Sequence, residues 1–178
     1  SSLAKEYVIN NINMVSVYPD VNYSSLKKSI SSYCKCNENN IVLGSGATEL
    51  ISSFINTIKP KKAVLISPAY SEYERELKKH NCKIIKYFSR DYNDFKIDTI
   101  ELVDFINEHE SDLIIICNPN NPTGFTFSKF EMEVILNNTK AFVMVDETYV
   151  EFTNTKIYSS TPLVDKHDNL FVIRGTSK

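Results

Sequence analysis

The stretch Leu113-Ile114-Ile115-Ile116-Cys117-Asn118-Pro119-Asn120-Asn121-Pro122-Thr123-Gly124 decides how the rest of the chain is read. An unbroken apolar run stops at a loop stiffened by two prolines and a glycine. Such a run, short and without polar alternation, reads as a strand buried on both faces. Outward from it, Ile41-Val42-Leu43, Ala63-Val64-Leu65-Ile66, Lys83 to Phe88, Ala141 to Val145 and Leu170 to Ile173 have the same character. Helix candidates lie between them. Thr48 to Ile58 places Leu50, Ile51, Phe54, Ile55 and Ile58 on one face, and Tyr70 to His80 is charged and helical. Asp98 caps a stretch to Ile106, and a further helix follows Ser128. This alternation predicts an α/β fold, a mainly parallel sheet with helices on both faces and ligands outside the carboxyl ends of the strands.

The chain has 178 residues, 42% of them hydrophobic, with 10 Phe and 10 Tyr, enough for one sizeable core. A net charge of −2 with dispersed lysines gives no field suited to nucleic acid or an anionic membrane surface. No apolar run approaches the length of a bilayer span, and the N-terminus lacks a secretory pattern, so a cytoplasmic setting is expected. Cys34, Cys36, Cys82 and Cys117 lack metal-ligand spacing and read as reduced structural thiols. His80, His109 and His167 read as surface residues. Before Ile41 two helices, Leu3 to Asn13 and Ser24 to Cys34, flank the turn Tyr18-Pro19-Asp20. Residues 1–40 thus form a helical segment, packed on the 41–178 domain or reaching to a partner subunit.

Four motifs carry chemistry. Gly44-Ser45-Gly46-Ala47-Thr48 leads into a helix, where small residues, free N–H groups and the helix dipole favour a phosphate. Its spacing matches neither a dinucleotide fingerprint nor a P-loop. The loop Asn118 to Gly124 can hold the side chain of Asn121 in one orientation against a ligand oxygen. Asp146 ends the run Ala141 to Val145, where a carboxylate suffers desolvation unless it faces a cation or a metal, or caps the next turn. Tyr149 lies over the same pocket if that segment takes one helical turn. Arg174-Gly175-Thr176-Ser177-Lys178 closes the last strand, and a lysine near a phosphate site can serve as a nucleophile toward an aldehyde.

In order, Gly46-Ala47-Thr48, Pro68-Ala69-Tyr70, Asn118 to Gly124, Asp146-Glu147-Thr148-Tyr149 and Ser177-Lys178 resemble fold-type-I pyridoxal-phosphate enzymes of the class I/II aminotransferases. Tyr18-Pro19-Asp20 and Ser71-Glu72-Tyr73-Glu74 look most like the histidinol-phosphate aminotransferase and threonine-phosphate decarboxylase branch. The resemblance implies the large cofactor-binding domain of that fold and pyridoxal 5'-phosphate as cofactor. It implies that Lys178 bonds covalently to the cofactor aldehyde and shuttles the substrate α-proton. It implies that Asp146 pairs with the pyridinium nitrogen and that Asn121 and Tyr149 hydrogen-bond the phenolic oxygen. Tyr70 would stack on the ring, while Gly46, Ala47, Thr48, Thr176 and Ser177 would form the phosphate site. Tyr18 would reach the phosphate of a partner subunit, making a homodimer part of the site. The implied substrates are a small amino acid or amino phosphate and a 2-oxo acid, in amino-acid biosynthesis, with no metal.

The sequence departs from the family at Gly175, where Ser or Thr is frequent, so that Thr176 would replace the missing hydroxyl. The family also continues past the lysine with a phosphate-binding arginine and a small C-terminal domain. It carries an N-terminal segment over the substrate as well. A fragment, inactive alone, is therefore expected. A phosphoamino-acid decarboxylase using the same site is the near alternative, and a non-catalytic binding module that keeps the fold is the alternative of another kind. A plain nucleotide-binding α/β domain is weaker, lacking its phosphate fingerprint.

Overall fold

A computed structural model describes residues 2–176 of the chain. Five strands, β1 (Lys62–Ser67), β2 (Lys83–Phe88), β3 (Leu113–Cys117), β4 (Phe142–Asp146) and β5 (Leu170–Ile173), form one all-parallel sheet in the order β2-β1-β3-β4-β5. The helices are α1 (Ser2–Asn10), α2 (Ser24–Cys34), α3 (Ala47–Ile58), α4 (Ser71–Lys79), α5 (Thr99–Glu108), α6 (Lys129–Asn138) and the short α7 (Thr155–Tyr158). Helices α4, α5 and α6 are the crossovers that parallel pairing requires.

The central strands β1, β3 and β4 are apolar between their ends because both of their faces are covered. Val64, Ile66, Ile114, Ile116, Val143 and Val145 pack with Leu102, Val103 and Ile106 of α5 and with Met132, Ile135 and Leu136 of α6. The alternate residues Ala63, Leu65, Leu113, Ile115 and Met144 pack with Ile51 and Ile55 of α3 and with Tyr73 and Leu77 of α4. Each buried helical pair is spaced by four residues, one stripe of an α-helix. Local signals set the helix starts. Asp98 accepts from the N–H groups of Ile100 and Glu101 at 2.8 and 2.9 Å, and Ser128 with Glu131 forms a capping box at α6.

Two expectations need correction. Ile41 is extended, but Ile41-Val42-Leu43 belongs to no strand. Ile41 alone is buried there, while Val42 is 69% exposed, so the segment lacks the two-sided burial that holds β3 in a sheet. The turn Gly44 to Thr48 is therefore a loop-to-helix entry, not a strand-to-helix turn. The first helix ends at Asn10 rather than near Asn13, and the chain continues as a 3₁₀ turn over Ile12–Ser16.

Helix α1 has no buried residue, and α2 buries only Cys34. The end of this segment is tied down by polar bonds. Thr161 Oγ1 donates to the Cys34 carbonyl at 2.9 Å, and the Asp165 carboxylate accepts from Asn37 N and from Asn40 Nδ2. No helix among the described residues is long and apolar enough to cross a membrane.

Helix α4 is also pinned to the edge strand β2 by charge. Glu74 takes Lys78 Nζ at 2.7 Å on one oxygen and Lys86 Nζ at 2.8 Å on the other. The donor bonds of Lys78 and then Lys86 lower its carboxyl from the ordinary 4.5 to about 2. A carboxyl depressed on folding stabilises the native state above its unfolded pKa and loses that contribution as pH falls through the folded value. Glu74→Gln should therefore lower Tm near neutral pH, and the gap from wild type should narrow between about 4.5 and about 2. Thermal unfolding at several pH values checks this; a gap that is constant with pH would count against the pairing.

Candidate functional site

The strand order reverses between β1 and β3, and the crevice at such a point, beyond the carboxyl ends of the strands, is where open parallel sheets take ligands. The loops after β1, β3 and β4 border it. Asn120 Nδ2 donates to the Pro68 carbonyl at 3.0 Å and to Thr123 Oγ1 at 2.8 Å, tying the first two loops together. Asn118 is wholly buried. Its Nδ2 donates to the carbonyls of Phe127 at 3.0 Å and Tyr158 at 3.2 Å, and its Oδ1 accepts from Phe127 N at 2.7 Å. The loop architecture thus occupies both of these asparagines. Asn121, half-buried beside them, spends no side-chain bond on that architecture.

Asp146 is 5% exposed at the tip of β4, paired in register with Cys117 of β3. Its Oδ1 accepts from Thr148 N at 2.9 Å and Thr148 Oγ1 at 2.6 Å. Its Oδ2 accepts from Tyr73 Oη at 2.7 Å. The cap foreseen as the plain alternative is therefore present, and it uses only Oδ1. An ionised carboxylate has about four lone-pair positions, so the three donors among the described residues leave one, on Oδ2. Among the described residues no Lys, Arg or His pairs with this carboxylate.

Tyr73 is 1% exposed, and its burial, then the charge of Asp146, push the phenol far above the ordinary tyrosine range. It therefore remains a donor. Tyr70 meets it edge to face, with ring centroids 5.6 Å apart at 83°, and stands half-open at the mouth of the crevice. Cys117 lies against the same phenol, and burial raises its thiol. Helix α3 starts at Gly46, whose φ of +99° only glycine adopts without strain. Gly46 brings no side-chain acceptor to the first turn, and Ala47 packs on the core cluster that contains Tyr73 and Cys117. Thr48 is exposed.

After β4 the chain makes a turn and then a 3₁₀ turn over Val150–Phe152, with Tyr149 at its N-cap and its ring 6.2 Å from that of Phe152. Thr176 is exposed just past β5. Ser177 and Lys178 lie outside the described residues. Tyr18 is 86% exposed on the N-terminal segment.

Sequence reasoning missed Tyr73 and Glu147. Tyr73 was signalled by its spacing of four from Leu77 on the buried stripe of α4. Glu147 is 1% exposed and accepts from Ser159 Oγ at 2.8 Å, from Ser160 N, and from Arg174 at 3.4 Å. Burial raises its carboxyl against the pull of those donors. Arg174 also pairs with Glu151 and lies 5.8 Å over the Tyr33 ring, joining β5 to α2.

Residues 3–178 match the family described as aminotransferase class I and II. The chain belongs to the class I and II aminotransferases. It is 37% identical over 163 residues to a histidinol-phosphate aminotransferase of Clostridium novyi, covering 90% of this chain and 44% of that protein. It is 36% identical over 168 residues to a protein of Caldanaerobacter subterraneus subsp. tengcongensis named as a candidate threonine-phosphate decarboxylase, covering 92% and 45%. The crystal structure of the histidinol-phosphate aminotransferase from Clostridium acetobutylicum superposes with a TM-score of 0.82 at 33% identity, over 97% of this chain and 51% of that one. The chain thus spans about half the length of the relatives it matches. In this aminotransferase chain the two asparagines that hold the loop and the one that does not are separable by mutation. Asn118→Ala should cost about 2–4 kcal/mol by leaving buried backbone groups of residue 127 unpaired, against roughly 0.5 kcal/mol for Asn121→Ala. Urea midpoints measure both, and equal costs would contradict the division of labour.

Proposed function

We propose that this chain is the cofactor-holding part of a pyridoxal-phosphate-dependent aminotransferase, histidinol-phosphate aminotransferase-like, moving an amino group between an amino acid or amine and a 2-oxo acid. The observation that carries the reading is Asp146, a buried carboxylate with one open acceptor position and no basic partner among the described residues. A protonated ring nitrogen fits that vacancy in charge and in hydrogen-bond count. The glycine-entered start of α3, on the same side of the sheet, suits the phosphate end of the same molecule.

When bound, pyridoxal phosphate supplies an aldehyde that captures amines and a protonated ring that accepts the electron pair of the substrate α-carbon. Asp146 holds the proton on the ring nitrogen. Asn121 and Tyr149 orient the phenolic oxygen, and Tyr70 covers a ring face. The first turn of α3 at Gly46, Ala47 and Thr48 binds the phosphate, with Thr176 and Ser177. Lys178 would supply the amine that holds the aldehyde end of the group and would carry the proton at the substrate α-carbon. Tyr18, exposed in the single chain, contributes to the site of a second copy in a homodimer. That role gives residues 1–40 a purpose distinct from the 41–178 domain.

A second reading, a decarboxylase of a phosphorylated amino acid, is favoured by the 36% identity to the Caldanaerobacter relative. The two reactions differ in which bond to the α-carbon is set parallel to the ring π-system. Wild-type protein should take up pyridoxal phosphate with a yellow, borohydride-trappable chromophore and a higher Tm, and Lys178→Ala should lose the trappable colour. A trappable chromophore retained by Lys178→Ala sinks the role of that lysine. No uptake by wild type supports a non-catalytic module instead. Glutamate formed from 2-oxoglutarate marks the aminotransferase, and carbon dioxide released from threonine phosphate marks the decarboxylase.

A further inference from the structure

We infer that Tyr73 is a positioning residue for Asp146, its phenol fixing the carboxylate as an oriented anion whose remaining lone pair receives the ring N–H of pyridoxal phosphate. The inference rests on the reading that Asp146 holds the ring nitrogen. Of the donors on Asp146, Thr148 is two residues away and travels with the same turn. Tyr73 comes from α4, a different element 73 residues earlier in the chain, and its bond measures 2.7 Å. Among the donors of the described residues it alone refers the carboxylate to the helix layer that also carries Tyr70 and packs on α3.

The phenol is rigid because the core grips it. Tyr73 is 1% exposed and shares a cluster with Ile51, Leu77 and Met144. A donor on a buried carboxylate favours the ionised form, so its loss raises the proton affinity of that carboxylate. Between a carboxylate and a ring nitrogen sharing one proton, a more basic carboxylate draws the proton away from the ring. The ring then accepts charge less well. Both Tyr73 and Thr148 donate to Asp146 as an anion facing the ring nitrogen, but Tyr73 also fixes the direction in which its remaining lone pair points.

The test uses the holoenzyme loaded with pyridoxal phosphate labelled with ¹⁵N in the ring, titrated by pH and read by NMR. In wild type the ring nitrogen should stay protonated across neutral pH. In Tyr73→Phe the shared proton should shift toward the carboxylate, so that the nitrogen resonance across neutral pH moves toward its unprotonated value, by up to a roughly tenfold change in the ratio of the two proton positions, as expected for one donor bond to a charged group. A resonance in Tyr73→Phe that matches wild type overturns the inference about Tyr73. Asp146→Ala separates this from failure of the underlying reading: if Asp146→Ala also leaves the resonance unmoved, Asp146 does not hold the nitrogen and both claims fall. If Tyr73→Phe does not fold, 4-aminophenylalanine at position 73 keeps the ring and a weaker donor. It should give a smaller displacement in the same direction, and no displacement overturns the inference.

Discussion

A carboxylate at the tip of a strand buried on both faces constrains everything around it. Asp146 cannot lean into water, and an unpaired charge in such a place costs several kcal/mol, on the order seen when one partner of a buried pair is removed. The fold meets that cost with neutral donors, Thr148 from the following turn and Tyr73 from α4. Both are placed by the architecture itself. Strand alternation turns Asp146 to the side of Met144, the side covered by α3 and α4, and the buried stripe of α4 delivers Tyr73 there. Even the reversal of strand order serves this point, because it opens the crevice beside β3, the strand next to Asp146.

The neighbouring carboxylate shows what the alternative looks like. Glu147, one residue on, turns to Ser159, Ser160 and Arg174, so the chain supplies its own cation. That network is closed and structural, linking β5, the turn after α7 and, through the Thr161 bond to Cys34, the N-terminal segment. Asp146 has as many donors but no cation among the described residues. Two adjacent acids of one sequence motif are therefore sorted by environment, one paired with a cation of the scaffold and one held by neutral donors alone among the described residues.

Most of the fold was legible because its signals were local. Leu113 to Cys117 was readable as a two-sided strand from its unbroken apolar run, and α5 and α6 from Asp98 and Ser128. Ile41-Val42-Leu43 misled because three apolar residues fix neither a strand nor a neighbour to pair with, and pairing is non-local. The site divided in the same way. Asp146 and Asn121 stood out as polar residues at the ends of apolar strands. Tyr73 sat within a charged helix, where a tyrosine reads as part of the buried stripe, and only the tertiary fold brings its hydroxyl to a residue 73 positions away. Lys178 was legible as a member of an ordered series of motifs and lies outside the described residues.

The contrast between the two ends of the chain follows from the same accounting of partners. From Lys62 onward, apolar stripes are met by strands and helices, and the central strands are closed on both faces. Along α1 and the 3₁₀ turn after it, Leu3, Tyr7, Val8, Ile9, Met14 and Val15 are all more than half exposed, although the segment is regular in backbone. A helix pattern without a buried face gains little from its own hydrogen bonds, since most helical stability in proteins comes from packing of one face. What anchors the segment is polar and sits at its far end, where Asp165 and Thr161 bind residues 34–40. A second copy bringing an apolar surface to α1 would supply the missing packing and, in the homodimer we propose, would also put Tyr18 to use.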